Sequence, residues 1–550
     1  METEKACAAN NNVRPKILVG DKIVDEALEM LRREADVDVK FGISQDDLLQ
    51  VIDQYDALVV RSVPLVTEDV LARGKRLKVV GRAGNGVDNI DVEAATRHGV
   101  VVVNTPDSNS ISACEQTIAL MLAGARNLPQ ANATLKEGGW GRNRFMGNEL
   151  YGKTVGIVGL GRIGALVATR LKAFGMRVIA YDPYISIDRF KRFGAERMET
   201  LNDLVRQADF ITVHTPKTEE TIGMIGEEQF RISAEQFQIA KKGLRVVNCA
   251  RGGIINEQAL AEALRQGIVA SASLDVFSKE PCAGNPLLEF DNVVVTPHIG
   301  ATTYEAQQRV GTDVATFVLA ALRGEIVPNT VNLPRLMGEE IGGLRPYFAL
   351  AECLGRLYYQ IEKVPIERVE LTYSGEIANK ETGIITLAFL KGLLAPVMGK
   401  NVNLVNASWL AENRGIKVFE KQEVEVIDKG YVNLMTACIA QDGQQISFAG
   451  TVAWDNSPHI VRVNRYRMDV VPAPHMLFVD HIDQPGVIGP FASVLGKAGV
   501  NIAMMQVGRL TRGEEALMVL SMDSPADEAT LEQLRRINGI LSVKVVSLSS

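Results

Sequence analysis

The run VGIVGLGRIGALVA, residues 155 to 168, constrains the fold more than any other stretch of this chain. Val155 to Val158 read as a short buried strand, and from Arg162 onward the apolar residues recur at helical spacing. Between the two, Gly159, Gly161 and Gly164 form G-x-G-x-x-G. The first glycine permits a tight turn, the second lets the backbone approach a pyrophosphate, and the third lets helix pack on strand, while the helix N-terminus favours the anion. Alone, such a turn equally suits an empty, close-packed connection. Asp182 adds to it, because it ends the next strand, RVIAYDP, about 20 residues further on. A carboxylate there accepts hydrogen bonds from ribose hydroxyls and repels a 2′-phosphate, so the expected cofactor is NAD rather than NADP.

The turn belongs to a series of short Val- and Ile-rich runs: TVGIVGL, RVIAYDP, DFITVHTP, LRVVNCARGG, ASLDVF and NVVVTPH. Alternation with helical stretches makes this a six-strand doubly wound set. A similar series precedes it, with KILVG, ADVDVKFG, ALVVRS, LKVVGRAG and GVVVVNTP. Helical stretches bracket the second set, SISACEQTIALMLAGARNLPQAN before it and TYEAQQRVGTDVATFVLAALRG after it, so the last helix can return to the first unit. From about 335 to 470 the reading is mixed helix and strand, with no motif. The tail from Met476 reads strand, helix, strand, strand, helix, strand, which is the ferredoxin-like plan.

At 550 residues the chain is too long for one core. A net charge of -7 spread along it gives no electrostatic footprint for nucleic acid. The most apolar stretch, GIITLAFLKGLLAPVMG at 383 to 399, is interrupted by Lys391 and Pro396 and reads as a buried helix, not a membrane span. Six cysteines (7, 114, 249, 282, 353 and 438) show no metal-ligand spacing, so neither zinc nor another metal is expected. They suit reduced thiols in a cytoplasmic protein; a plastid location stays open if a transit peptide once preceded the polar start METEKACAANNNVRP. The tandem EEQFRIS and AEQFQIA, 227 to 240, reads as an insertion that lengthens a helix by about two turns.

Hydride transfer from an alcohol requires a base for the hydroxyl proton and a cation for the anionic end of the substrate. Of six histidines, His298 follows a strand of the nucleotide unit in VVVTPHIGA, where ligands of doubly wound sheets gather. Two other strand ends supply Arg251 (NCARGG), and Asp275 with Glu280 (LDVFSKEP). Arg251 can hold a carboxylate with two prongs, and Glu280 can fix the tautomer of His298. A buried ion pair tying loops together is the bland alternative. A phosphate would need further cations, and Arg61, Arg82, Arg142 and Arg144 are the available ones.

These motifs resemble the D-isomer-specific 2-hydroxyacid dehydrogenases from about residue 15 to 332. Beyond that point the chain resembles those members with an intervening domain and an ACT domain. The resemblance implies an α/β fold of two doubly wound, Rossmann-like parallel-sheet domains, an α+β intervening domain and a C-terminal βαββαβ ACT domain. The expected boundaries are 13–108 with 303–332 for the substrate-binding domain, 109–302 for the NAD-binding domain, 333–470 and 471–550. It implies Arg251 on the substrate carboxylate, His298 as proton donor or acceptor supported by Glu280, and Asp275 facing the nicotinamide carboxamide. Asn85, Arg162, Ile163, Thr215, Cys249, Ala250, Gly300 and Ala301 would line the NAD site with Gly159, Gly161, Gly164 and Asp182. The expected reaction is oxidation of 3-phosphoglycerate to 3-phosphohydroxypyruvate, which leads to serine; a reductase for another 2-oxo acid and an NAD-sensing scaffold are the alternatives. The expected partners are the substrate, a second copy in a homo-oligomer (dimer or tetramer) with the Trp140 arm near it, and L-serine as effector. For serine, HIDQPGVIG and AGVNIAMMQVGR place His481, Asp483 and Asn501 at the tail.

Overall fold

The computed structural model describes residues 14–230, 240–334, 338–362, 365–425, 430–441 and 444–548. The start of the chain and most of the tandem at 227–240 lie outside the described residues.

Two parallel sheets carry the amino-terminal part. The first contains β1 (Lys16–Val19), β2 (Asp36–Val39), β3 (Ala57–Val60), β4 (Val79–Arg82) and β5 (Val101–Asn104), in the order β2-β1-β3-β4-β5. Helices cover both faces, which is why Ile17, Leu18, Val19, Leu58 and Val59 form uninterrupted apolar runs and are fully buried. One covering helix is Tyr304–Leu322, which returns from the far end of the second unit as the sequence suggests. It lies so close to β4 that a Cβ on Gly81 would stand 2.4 Å from Val318 Cγ2.

The second sheet contains β6 (Thr154–Val158), β7 (Arg177–Tyr181), β8 (Glu196–Arg197), β9 (Phe210–Val213), β10 (Leu244–Asn248), β11 (Val269–Leu274) and β12 (Val293–Val295). Its order is β12-β11-β10-β9-β6-β7-β8, so the winding reverses between β6 and β9. Six of these strands are legible in the sequence as short apolar runs. The seventh, β8, is two exposed polar residues at the edge and leaves no apolar run to read.

The region without a motif is a six-stranded mixed sheet: β13 (Arg368–Gly375), β14 (Lys417–Glu423), β15 (Asn433–Gln441), β16 (Gln444–Val452), β17 (Pro458–Val463) and β18 (Tyr466–Val470), in the order β14-β13-β15-β16-β17-β18. Two helices, Gly338–Ile361 and Gly383–Met398, pack on it. The second is the buried apolar helix expected from sequence; no helix among the described residues is long and apolar enough to cross a membrane. The helices cross backbone to backbone. A Cβ on Gly355 would stand 2.2 Å from Phe389 O, and one on Gly392 would stand 2.1 Å from Glu352 O.

The last sheet contains β19 (His475–Ile482), β20 (Ile502–Arg509), β21 (Glu515–Met522) and β22 (Ile540–Ser547), antiparallel in the order β20-β21-β19-β22. Its helices, Ile488–Lys497 and Glu528–Arg535, complete the βαββαβ plan. Period-two alternation splits β19 between two cores. Leu477 and Val479 pack on the sheet's own helices, whereas Met476 and Phe478 join the core of the preceding mixed sheet. We predict that Gly392→Val, which forces side-chain atoms into the helix crossing, costs about 1–3 kcal/mol of stability. Urea unfolding followed by circular dichroism measures it, with NADH binding to the nucleotide domain as the property expected to stay intact.

Candidate active site

The glycine turn is built as its spacing implies. Gly159 has φ +89, and a Cβ there would meet His214 O at 2.9 Å. Gly164 packs still closer, since a Cβ would stand 2.1 Å from Gly159 O, and Gly161 faces open space. Asp182 accepts from Leu160 N at 2.9 Å and from Tyr184 N at 3.0 Å, so its carboxylate lies against the turn.

Two adjoining cavities open at the carboxyl ends of the strands. One, of about 360 Å³, is lined by Asn85, Arg162, Ile163, Thr215, Cys249, Ala250, Asp275, Gly300 and Ala301, all singled out from sequence. The residues present fit a dinucleotide there, because the Thr215 hydroxyl is buried and without a hydrogen-bond partner. Burial pushes the Cys249 thiol up to about 12, so this lining residue stays neutral. Arg162 is ion-paired to Asp107, on the segment that crosses between the two parallel-sheet units.

The other cavity, of about 490 Å³, lies between those units and holds Arg61, Arg82, Arg251, Glu280 and His298. His298 Nδ1 is 2.7 Å from Glu280 Oε2, and Glu280 Oε1 accepts from Phe277 N at 3.0 Å. The pair leaves His298 Nε2 to the cavity. His298 has φ +52, a left-handed conformation that a non-glycine residue adopts only when its surroundings impose it. Asp275 imposes it here. Its carboxylate, 1% exposed, accepts from Thr296 Oγ1 at 2.5 Å, Ile299 N at 2.8 Å and Gly300 N at 2.8 Å, while its carbonyl takes His298 N at 2.9 Å.

Arg251 points across the cavity, where its Nε is 3.1 Å from Asp88 Oδ2. Asn248 shapes the Arg251 turn, accepting from Ala250 N and donating to Arg251 O, both at 3.0 Å. Burial, with Arg251 and Arg61 alongside, pulls the Arg82 guanidinium down to about 10, and its buried Nε has no hydrogen-bond partner. Three clustered arginines facing two carboxylates make a cleft suited to an anion.

Not every expected residue converges. Arg142 and Arg144 do not line the cleft: they sit on the one-turn segment Arg142–Phe145, and Arg144 lies 3.8 Å from Asp291. The arm is tied back to the helix Ser110–Arg126 by Asn148 N donating to Ala125 O at 2.8 Å, which holds both arginines away. In the last sheet, His481 is 1% exposed and its Nδ1–H donates to its neighbour's carbonyl, Ile482 O, at 2.9 Å. Asp483 pairs with Arg509 at 2.9 Å at one end of the sheet, and Asn501 donates to Asp523 at 2.7 Å at the other. Within one chain the three do not form one pocket, because β19 and β20 run parallel and a helix separates Asp483 from Asn501. Residues passed over in sequence also line the cleft, notably Lys217, directly after the HTP of β9, and Asp88, within the GVDN that follows Asn85.

The fold and this site define a D-isomer specific 2-hydroxyacid dehydrogenase, and the NAD-binding domain of that family matches residues 118–300. The D-3-phosphoglycerate dehydrogenase intervening domain matches residues 343–464 and the ACT domain residues 475–539. The chain is 47% identical to D-3-phosphoglycerate dehydrogenase of Methanocaldococcus jannaschii, over 97% of this chain and 100% of that one. It is 41% identical to the Bacillus subtilis enzyme of the same name, over 97% and 99%. Among solved structures, D-lactate dehydrogenase of Aquifex aeolicus complexed with NAD and lactic acid is similar with a TM-score of 0.51 and 26% identity, over 57% of this chain and 98% of that one. The chain belongs to the D-3-phosphoglycerate dehydrogenase family.

Asp275→Ala leaves two amides and a hydroxyl without their acceptor, and we predict a loss of about 2–4 kcal/mol in urea unfolding. Turnover is expected to fall further than stability alone explains, since His298 loses its imposed conformation; steady-state kinetics at a temperature where the variant is fully folded separates the two.

Proposed function

We propose that the chain oxidises 3-phosphoglycerate to 3-phosphohydroxypyruvate, with His298, Glu280 and Arg251 as the catalytic residues. The observation that carries this reading is that the His298–Glu280 pair and Arg61, Arg82 and Arg251 line one cavity continuous with the dinucleotide groove. NAD, when bound, supplies the acceptor for the hydride leaving C2. His298 takes the C2 hydroxyl proton at Nε2, while Glu280 holds Nδ1–H and thereby fixes ring and tautomer. Arg251 exchanges Asp88 for the substrate carboxylate, and Arg61 and Arg82 hold the phosphate. His214 lines the dinucleotide groove as a neutral ring, because burial pushes it down to about 3, and its Nε2 lies 3.0 Å from Thr212 Oγ1.

Assembly and regulation extend the proposal. Leu128, Leu135, Trp140 and Met146 are 54%, 58%, 75% and 82% exposed on one side of the nucleotide unit, a face suited to a second copy in a dimer or tetramer. L-serine is the proposed effector at paired tails. Antiparallel pairing of two β20 edges would bring Asn501 of one copy to the Asp483 end of the other, which the single chain does not do. A route toward the cleft exists in Asn403, which donates to Gly99 O at 2.6 Å, at the end of the helix Val92–Arg97. That helix is capped by Asp91, three residues after Asp88 of the substrate cavity.

A panel of 2-hydroxy and 2-oxo acids with NAD or NADH tests the reaction. We predict turnover of 3-phosphoglycerate well above any unphosphorylated acid, and a loss of about 10²- to 10⁴-fold in His298→Ala with NADH binding retained. Preference for an unphosphorylated acid would favour a general 2-oxo acid reductase, and no turnover despite NADH binding a scaffold. For the effector, L-serine titrated into the intact protein is expected to inhibit with a coupling of about 1–3 kcal/mol, weakened in Asp483→Ala; inhibition unchanged in that variant removes the tail site.

A further inference from the structure

A contact that no motif announces links the segments that follow β7 and β9, the two strands on either side of β6. The glycine turn follows β6, and β6 is flanked by β7 on one side and β9 on the other. Tyr184, just past β7, donates its hydroxyl to the carboxylate of Glu220, in the loop that follows β9. The contact therefore crosses the carboxyl end of β6, over the turn whose glycines and helix N-terminus receive the pyrophosphate.

Both ends of the bridge are attached to the cofactor groove. On the β7 side, Tyr184 N donates to Asp182 Oδ1 at 3.0 Å, so the tyrosine is positioned by the carboxylate expected to hold the ribose. On the β9 side, the loop begins with Thr215, whose unpartnered buried hydroxyl faces the groove. It is then stiffened by Thr221, whose Oγ1 accepts from Thr218 N at 2.8 Å and donates to Pro216 O at 2.7 Å. That local network presents Glu220 to Tyr184.

The fold itself has little need of this bond. Tyr184 is 77% exposed, and an exposed hydrogen bond of this kind adds little to stability. A large, exposed aromatic ring next to the Asp182 carboxylate is instead suited to covering a ligand held there. We propose that Tyr184 and Glu220 form a clasp that closes over the adenosine arm of the bound dinucleotide and slows its departure. Neither residue touches the reacting end of the cofactor; they are retention residues, and they act on the dissociation rate.

Stopped-flow measurement of NADH fluorescence with the full-length protein tests this without turnover. Tyr184→Phe keeps the ring and removes the hydroxyl, and Glu220→Gln keeps the shape and removes the charge. Each is expected to raise the NADH dissociation rate about fivefold with the association rate unchanged, and the double variant is expected to be no worse than the singles, as two halves of one contact require. The unfolding midpoint of the cofactor-free protein is expected to stay within about 2 °C. A dissociation rate unchanged in both single variants overturns the proposal. So does a rise in the association rate, which would make the pair an obstruction to entry, or additive effects in the double variant.

Discussion

The buried carboxylate of Asp275 is the interaction on which the site depends. Both of its oxygens are engaged by the segment from Thr296 to Gly300, which leaves His298 no choice but the left-handed conformation that presents its ring to Glu280. Desolvating a carboxylate is costly unless hydrogen bonds replace the lost water, and two amides and a hydroxyl do so here. The same residue thus joins the end of β11 to the end of β12 and sets the geometry of the His298–Glu280 pair. The resemblance assigned Asp275 to the cofactor carboxamide; in the structure it lines that cavity while its oxygens organise the histidine turn.

Charge is the second constraint. Burial, with Arg251 and Arg61 close alongside, depresses Arg82, and Asp88 pairs with Arg251 across the cavity. Guanidinium groups gathered in a partly desolvated cleft repel one another, so an anion with two charged ends relieves a strain that a neutral ligand would not. Asp88, 3.1 Å from Arg251 Nε, supplies an opposing charge that offsets part of this repulsion.

The carboxyl-terminal part behaves physically as one body more than its two motifs suggest. One face of the last sheet, through Met476, Phe478, Leu517, Val519 and Val546, shares a core with Leu354, Leu357 and Phe448 of the mixed sheet. Lys544 adds an ion pair to Glu362 at 2.9 Å, at the end of the helix Gly338–Ile361. A change of packing in the last sheet is therefore felt by that helix directly, and Asn403 hydrogen-bonds Gly99 O of the first parallel-sheet unit at 2.6 Å.

By itself the sequence determined the parallel sheets, the dinucleotide turn and several of the groups that converge on the cleft, Arg61, Arg82, Arg251, Glu280 and His298 among them. These are local properties: a buried strand must be apolar on both faces, a turn that approaches a phosphate must be glycine, and strand ends of a doubly wound sheet must point into one crevice. The mixed sheet carried no such signal, since its strands β13 to β18 pair mostly antiparallel around two helices whose close crossing at Gly355 and Gly392 is invisible until both are placed. Only the tertiary structure decided that Arg142 and Arg144 turn away from the cleft while Asp88 and Lys217 enter it, and that Asp483 and Asn501 lie at opposite ends of one sheet. Which side chains meet across distant loops depends on how long arms dock and how strands are ordered, and no periodicity within a short stretch of chain encodes that.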